Sequence, residues 1–175
     1  MNTSTKTYKK PNEMTDIEKS ERIFRLQNKF YDDKSIPSVL LETEMERTSL
    51  SNDPSLLSGI QQLKALESRA AVLRNEYDIK LTNALIPLVR GFEQQKKKLR
   101  KEHEEECNKI MRTFGPIRTI QMEVILQKQE SKLADLRHIQ EQQKADLKKK
   151  LSADLDECRA NIYATFMKFV HQIYK

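Results

Sequence analysis

The 175-residue sequence has no tryptophan, only three glycines and only two cysteines. With so few glycines it has no Gly-rich phosphate loop and no Gly-flanked serine nucleophile, and little material for tight active-site turns. Cys107 and Cys158 stand alone inside strongly helical stretches, which is typical of reduced thiols in a nuclear or cytosolic protein rather than of a disulfide framework. No apolar run approaches ~18 residues, so no transmembrane helix is predicted.

Apolar residues are also scarce, at 37% of the sequence, whereas charged residues make up 33%. This balance is poor for a compact globular core, but it suits long helices that bury one narrow stripe against another helix. The net charge is +6, and clusters such as 96–98 and 148–150 contribute much of it. Basic clusters permit contact with nucleic acid or an anionic surface, but a solvated helix face is the simpler interpretation.

The first part of the chain divides into two segments. Residues 1–15 are polar and predict a disordered tail. Residues 16–53 predict short helices and a polar connector, with one helix beginning at Asp16 and a second amphipathic piece at 39–45. Pro37 separates the two pieces, because proline disfavours helix in the residue before it.

A long helix is predicted over residues 54–114. Asp53 can cap the first free amides, and Pro54 fits the first turn, where its missing N–H costs nothing. The apolar positions recur every three or four residues, as in a coiled coil, and we call this stripe the seam. The interface predicted on this helix comprises Leu56, Ile60, Leu63, Leu66, Ala70, Leu73, Tyr77 and Leu81. Pro87 predicts a kink, because its ring removes one hydrogen bond and crowds the preceding turn.

A break is predicted at Gly115-Pro116, since Gly is preferred just after a helix and Pro at the start of the next. A second coiled-coil helix should then occupy residues 117–175. Its predicted interface comprises Leu147, Leu151, Leu155 and Ile162. Gln140 and Gln143 occupy polar seam positions, which can fix the register of a coiled coil. The predicted fold class is all-α, either an antiparallel hairpin or a kinked rod paired with another chain.

The C-terminal end of this second helix has a wide aromatic face, broader than a two-helix seam requires. We predict that it is covered by a third surface. One possibility is a partner protein that docks on Phe166, Phe169, Val170 and Ile173. The other is the N-terminal helix around Ile23–Tyr31, folded back on the same chain.

Few residues have the spacing that catalysis or metal binding requires. His103 and Cys107 lie four apart on a helix, but a structural zinc site needs four ligands. Asp135 and His138 lie three apart, but a di-iron carboxylate site needs two such pairs and further glutamates. We therefore predict no catalytic residue, no metal and no cofactor, and expect that the protein is not an enzyme.

Three groups of residues occur in the order that one known family has. The first is a short helix ending in Phe30-Tyr31 and Asp33-Lys34. The second is a long helix that begins at Asp53–Leu57 and continues through Ile60, Leu63, Leu66, Glu76-Tyr77 and 81–85. The third is Glu141–Lys148, followed by Leu151, Leu155 and Glu157. Over residues 22–160 the sequence resembles the metastasis-suppressor-like family of corepressor subunits (the Sds-three type) found in Sin-three histone deacetylase complexes.

This resemblance implies a non-catalytic, dimerising scaffold subunit of a nuclear repressor complex, with corepressor and deacetylase subunits as partners. More generally, the seam predicts a homodimer or a hetero-coiled-coil partner, and no small-molecule substrate. The alternatives are a cytoskeletal, kinetochore or membrane-tethering coiled-coil subunit, or a curved membrane-binding helical module. The predicted location is nuclear, or otherwise cytoplasmic.

Overall fold

In a computed structural model the chain is all-α, as predicted. The structure describes residues 8–32, 34–113 and 115–175, and these ranges contain no β-strand. Residues 1–7 of the predicted disordered tail, Asp33 of the family motif and Phe114 of the predicted turn lie outside the described residues. After a short 3-10 helix, Pro11–Glu13, the helices are α1 (Asp16–Phe30), α2 (Pro37–Arg47), α3 (Pro54–Met111) and α4 (Pro116–Ile173).

The start of α3 confirms the predicted cap. The Oδ1 atom of Asp53 accepts hydrogen bonds from the backbone N–H of Ser55 at 2.9 Å and of Leu56 at 3.4 Å. A carboxylate at this position satisfies amides that have no partner within the helix and interacts favourably with the helix dipole. Pro87 lies inside α3, which continues to Met111, and the kink at Pro87 stays a prediction.

The helix breaks at the predicted position, where a tight turn connects α3 to α4. Gly115 adopts φ +93°, a left-handed conformation that favours glycine, and Pro116 is the first residue of α4. Across the turn, Arg118 Nη2 donates a hydrogen bond to Met111 Sδ at 2.8 Å. The two long helices pack together, so the structure has the hairpin and not the rod.

The chain forms two compact units. The terminal unit contains the residues up to Asn75 together with Asp154–Lys175, and the central unit is Glu76–Ala153. The terminal unit contains α1, α2, the first turns of α3 and the last turns of α4. The central unit contains the remainder of the hairpin with its turn.

In the terminal unit, α1 and α2 cover the ends of α3 and α4. The side chains buried there include Leu26 of α1, Leu41 and Met45 of α2, Leu56 and Leu63 of α3, and Phe166 and Val170 of α4. The first turn of α2 has no side-chain cap from Ile36. Instead, Glu67 of α3 accepts hydrogen bonds from the backbone N–H and the hydroxyl of Ser38, both at 2.8 Å. This carboxylate satisfies the helix N-terminus and holds α2 against α3.

Gly59 allows α3 and α4 to approach closely in this unit. A Cβ atom on Gly59 would lie 2.7 Å from the ring of Phe169, which is itself buried. We expect Gly59→Ala to lower the free energy of unfolding by about 1–2 kcal/mol, because overpacking outweighs the helix propensity of alanine. Denaturant unfolding measures it.

The matched control is Gly91→Ala in the same helix, where an added Cβ would meet nothing within 4 Å. This change should raise the free energy of unfolding by about 0.5–1 kcal/mol, because alanine loses less backbone entropy in a helix. If Gly59→Ala also raised the free energy of unfolding, the close approach at Gly59 would be absent in solution.

Candidate protein-interaction surfaces

The predicted seam is where α3 and α4 of the same chain meet. Every predicted interface residue is buried or partly buried. Leu56, Ile60, Leu63, Leu73, Leu155 and Ile162 are buried, and Leu66, Ala70, Tyr77, Leu81, Leu147 and Leu151 are partly buried. In the terminal unit, the thiol of Cys158 donates to the carbonyl of Leu66 at 3.5 Å, and Gln172 Nε2 donates to Ser55 Oγ at 2.8 Å. These pairs show antiparallel packing within one chain.

The aromatic face at the end of α4 is covered by the N-terminal helices. The ring of Phe30 lies 5.4 Å from that of Phe166 and 5.1 Å from that of Tyr163, measured between centroids. Gln27 Nε2 donates a hydrogen bond to Tyr163 Oη at 2.8 Å. The covering surface is therefore the second of the two predicted ones, the N-terminal helix folded back.

This finding corrects the expectation that a partner docks on this face. The four side chains assigned to docking are Phe166, Phe169, Val170 and Ile173, and all are buried in the terminal unit. Their apolar surface is in contact with other parts of the chain, so in this structure they offer no free surface to a partner.

The terminal unit contains a buried ionic cluster that was not predicted from the sequence. Arg22 of α1 holds Glu44 of α2 with two hydrogen bonds, from Nε to Oε1 at 2.8 Å and from Nη2 to Oε2 at 2.6 Å. The hydroxyl of Tyr174 donates to the same carboxylate. Glu44 is almost fully buried. The cluster thus links α1, α2 and the residue that follows α4.

Burial and hydrogen bonding shift the pKa values of all three groups. Burial alone would raise the pKa of Glu44, but the hydrogen bonds from Arg22 and Tyr174 outweigh it and hold the pKa below the ordinary value. The hydrogen bond to Glu44 raises the pKa of Arg22. Burial, followed by the hydrogen bond to Glu44, raises the pKa of Tyr174. At neutral pH the cluster is therefore a carboxylate with a guanidinium and a neutral phenol.

The central unit contains a polar stretch within its seam. Gln129 Nε2 donates to the carbonyl of His103 at 3.2 Å and lies 3.7 Å from Cys107 Sγ. His103 Nε2 and Gln140 Nε2 are buried and have no hydrogen-bond partner among the described residues. Gln140 therefore occupies the predicted seam position, whereas Gln143 is exposed. Polar residues weaken such a seam but disfavour other registers.

Metal-binding side chains are not grouped in the described ranges. No cluster of three or more His, Cys, Asp or Glu side chains occurs there, so His103 and Cys107 have no further ligands nearby. A cavity of about 220 Å³ in the terminal unit is lined by polar and charged side chains that include Lys9, Arg22 and Tyr174. Lys9 is already paired with Glu18, and the other two are bound to Glu44.

Two apolar stripes in the central unit are exposed. The first, which we call the α3 back face, comprises Ile79, Ile86 and Val89, whose exposed fractions are 63%, 48% and 41%. The second, the α4 outer patch, comprises Ile117, Ile120 and Val124. At 3.6 residues per turn, the α3 back face lies about 130° around its helix from the seam, and the α4 outer patch about 160°. The spacing of both stripes is visible in the sequence, but neither stripe belongs to the predicted interface of α3 and α4.

Comparison with protein-family models, with curated proteins and with solved structures found no match to this chain. None of the described helices contains a stretch with the length and hydropathy that a membrane span requires.

Proposed function

We propose that the protein is a non-catalytic assembly subunit, a helical hairpin that joins other proteins through exposed faces of its long helices. The observation that carries this proposal is the pair of exposed apolar stripes, the α3 back face and the α4 outer patch. Contiguous exposed apolar surface is typical of interaction sites. Apolar residues at steps of three, four or seven on a helix fit a partner helix or groove.

The more specific proposal is a nuclear subunit of a histone deacetylase corepressor complex that acts in transcriptional repression. It is supported by the family resemblance over residues 22–160 and by the position of Asp53-Pro54, which begins the long helix as the resemblance implies. In this proposal corepressor and deacetylase subunits are the partners.

The alternative is a cytoskeletal, kinetochore or membrane-tethering subunit in the cytoplasm. One observation favours this alternative, because Arg112 and Arg118 occur within five residues of the exposed Ile117 in the sequence. Basic and apolar side chains together suit an anionic membrane surface or an acidic partner.

Affinity purification of the full chain from cells, with identification of the retained proteins, tests the assembly role. Retained deacetylase and corepressor subunits support the nuclear proposal, whereas tubulin, motor or vesicle proteins support the alternative. A double change of Ile117→Ser and Ile120→Ser should reduce the retained partner at least about tenfold if the α4 outer patch binds it.

The matched control is Ile17→Ser, which alters an exposed isoleucine on α1. It should leave partner retention and thermal unfolding unchanged. A wild-type chain that retains no protein above background would contradict the assembly role itself.

A further inference from the structure

The α3 back face has the pattern of a second coiled-coil seam. Ile79 and Ile86 lie seven residues apart, and Val89 follows three residues later. This is the spacing of a and d positions in a coiled coil, with the two isoleucines at a-type positions and the valine at the following d-type position. All three side chains are exposed, so no other described part of the chain fills this second seam.

Two charged residues flank the back face at equal distances from its centre. Glu76 lies seven residues before Asn83, and Arg90 lies seven residues after it. Both are exposed, and within the described ranges neither forms an ion pair with another residue of the chain. Charges beside a seam set the orientation and the choice of partner helix.

This arrangement is complementary to itself when two copies run antiparallel. With a two-fold axis near Asn83, Glu76 of one copy faces Arg90 of the other, and Ile79 faces Ile86 within one residue. A parallel pair would place Glu76 beside Glu76 and Arg90 beside Arg90, which is repulsive. A two-fold interface requires a patch that is complementary to itself. The two charged residues and the two isoleucines meet that condition, whereas Val89 faces Tyr77 in this register.

We propose that the α3 back face binds the same face of a second copy of this chain, in an antiparallel pair centred on Asn83. The inference rests on the proposed assembly role and names one of its partners. The interface covers about three helical turns, so it is smaller than the ~1,200 Å² of a stable complex, and the dimer is weak and concentration-dependent.

Sedimentation equilibrium of the full chain, over roughly 1 µM to 1 mM, tests this proposal in the range where weak pairs dissociate. The wild-type chain should change from monomer to dimer. Ile86→Asp should abolish dimerisation, because it buries a charge in the paired face. Ile17→Asp, at the exposed isoleucine of α1, is the matched control and should leave the dimer intact.

A charge exchange tests the antiparallel register. Glu76→Arg alone and Arg90→Glu alone should each raise the dimer Kd about tenfold, since either change places like charges opposite each other at both ends of the pair. The double exchange restores opposite charges and should return the Kd to within about threefold of wild type. Circular dichroism checks that all variants keep the same helix content.

Three outcomes would overturn the pairing of two copies. In sedimentation equilibrium, the wild-type chain could remain a monomer up to the highest concentration, or the double exchange could fail to restore dimerisation. In the affinity purification, Ile86→Asp could remove a retained protein other than a second copy of this chain. In the last case the back face belongs to another partner. A monomeric chain that still retains partners would contradict the dimer and leave the assembly role standing.

Discussion

Phe166→Ala is expected to lower the free energy of unfolding by about 3–5 kcal/mol. Phe166 is completely buried, and its ring packs against Phe30 of α1 in the core of the terminal unit. Removing the ring loses its burial and leaves a cavity, because close-packed neighbours relax only in part. Denaturant unfolding followed by circular dichroism measures the loss. Phe166→Leu, which keeps part of the apolar volume, should lose less.

The matched control is Phe24→Ala on α1, where the side chain is 62% exposed. Surface changes of this kind usually alter stability by no more than about 0.5 kcal/mol. If the two phenylalanines were equivalent in this experiment, α1 and α2 would not cover the end of α4 in solution.

Glu44→Ala is the second large expected effect, a loss of about 3–5 kcal/mol. The change removes the carboxylate that balances the charge of Arg22 and accepts the hydroxyl of Tyr174. The guanidinium then stays mostly buried without a counter-charge, which costs more than the intact pair contributes. Glu42→Ala is the control, because Glu42 forms a solvent-exposed ion pair with Lys64 at 3.2 Å. Exposed pairs contribute about 0–1 kcal/mol.

The effect of Glu44→Ala should also depend on pH. The pKa of Glu44 is lowered in the folded chain from an ordinary value of 4.5, so its stabilisation is present above that pH. It is lost as the pH falls through the folded-state pKa, where the carboxylate becomes protonated. The difference in stability between wild type and Glu44→Ala should therefore shrink in acid. A difference that stays constant from neutral to acidic pH would mean that the carboxylate is not held by Arg22.

Tyr174 should act at the opposite end of the pH scale. Its pKa is raised in the folded chain above the ordinary value of 10.0, so the neutral phenol stabilises the fold below that pH. This contribution declines as the pH rises from about 10 through the folded-state pKa. In Tyr174→Phe, the free energy of unfolding should therefore fall less between pH about 10 and higher pH than it does in the wild-type chain.

Local signals made the helix boundaries predictable. Asp53-Pro54 and Gly115-Pro116 act through caps and backbone angles that involve only neighbouring residues, and both lie at the predicted boundaries. The seam was predictable for a similar reason, since helical spacing alone places Leu63 and Leu73 on one face. Spacing was less decisive in the polar stretch, where steps of three and four are equally allowed and Gln143 proved to be exposed.

Contacts between distant segments were not predictable. The width of the aromatic face showed that something covers Phe166, but periodicity contains no information on which surface does so. Glu44 lies in a helix that otherwise looks amphipathic, and its burial depends on Arg22 and Tyr174, which lie 22 and 130 residues away. The α3 back face is the reverse case, because its heptad spacing is in the sequence but its exposure needs the structure.

The composition of the terminal unit has a consequence for synthesis on the ribosome. The N-terminal helices are made first, but the segment that completes their core, Asp154–Lys175, follows the whole of Glu76–Ala153. At ~5–20 residues per second, translation of the intervening stretch takes about 4–16 s. Throughout that interval the apolar side chains of Leu26, Leu41 and Met45 lack the α4 residues that pack against them in the folded chain. They are then open to chaperones and to neighbouring nascent chains on the same messenger RNA.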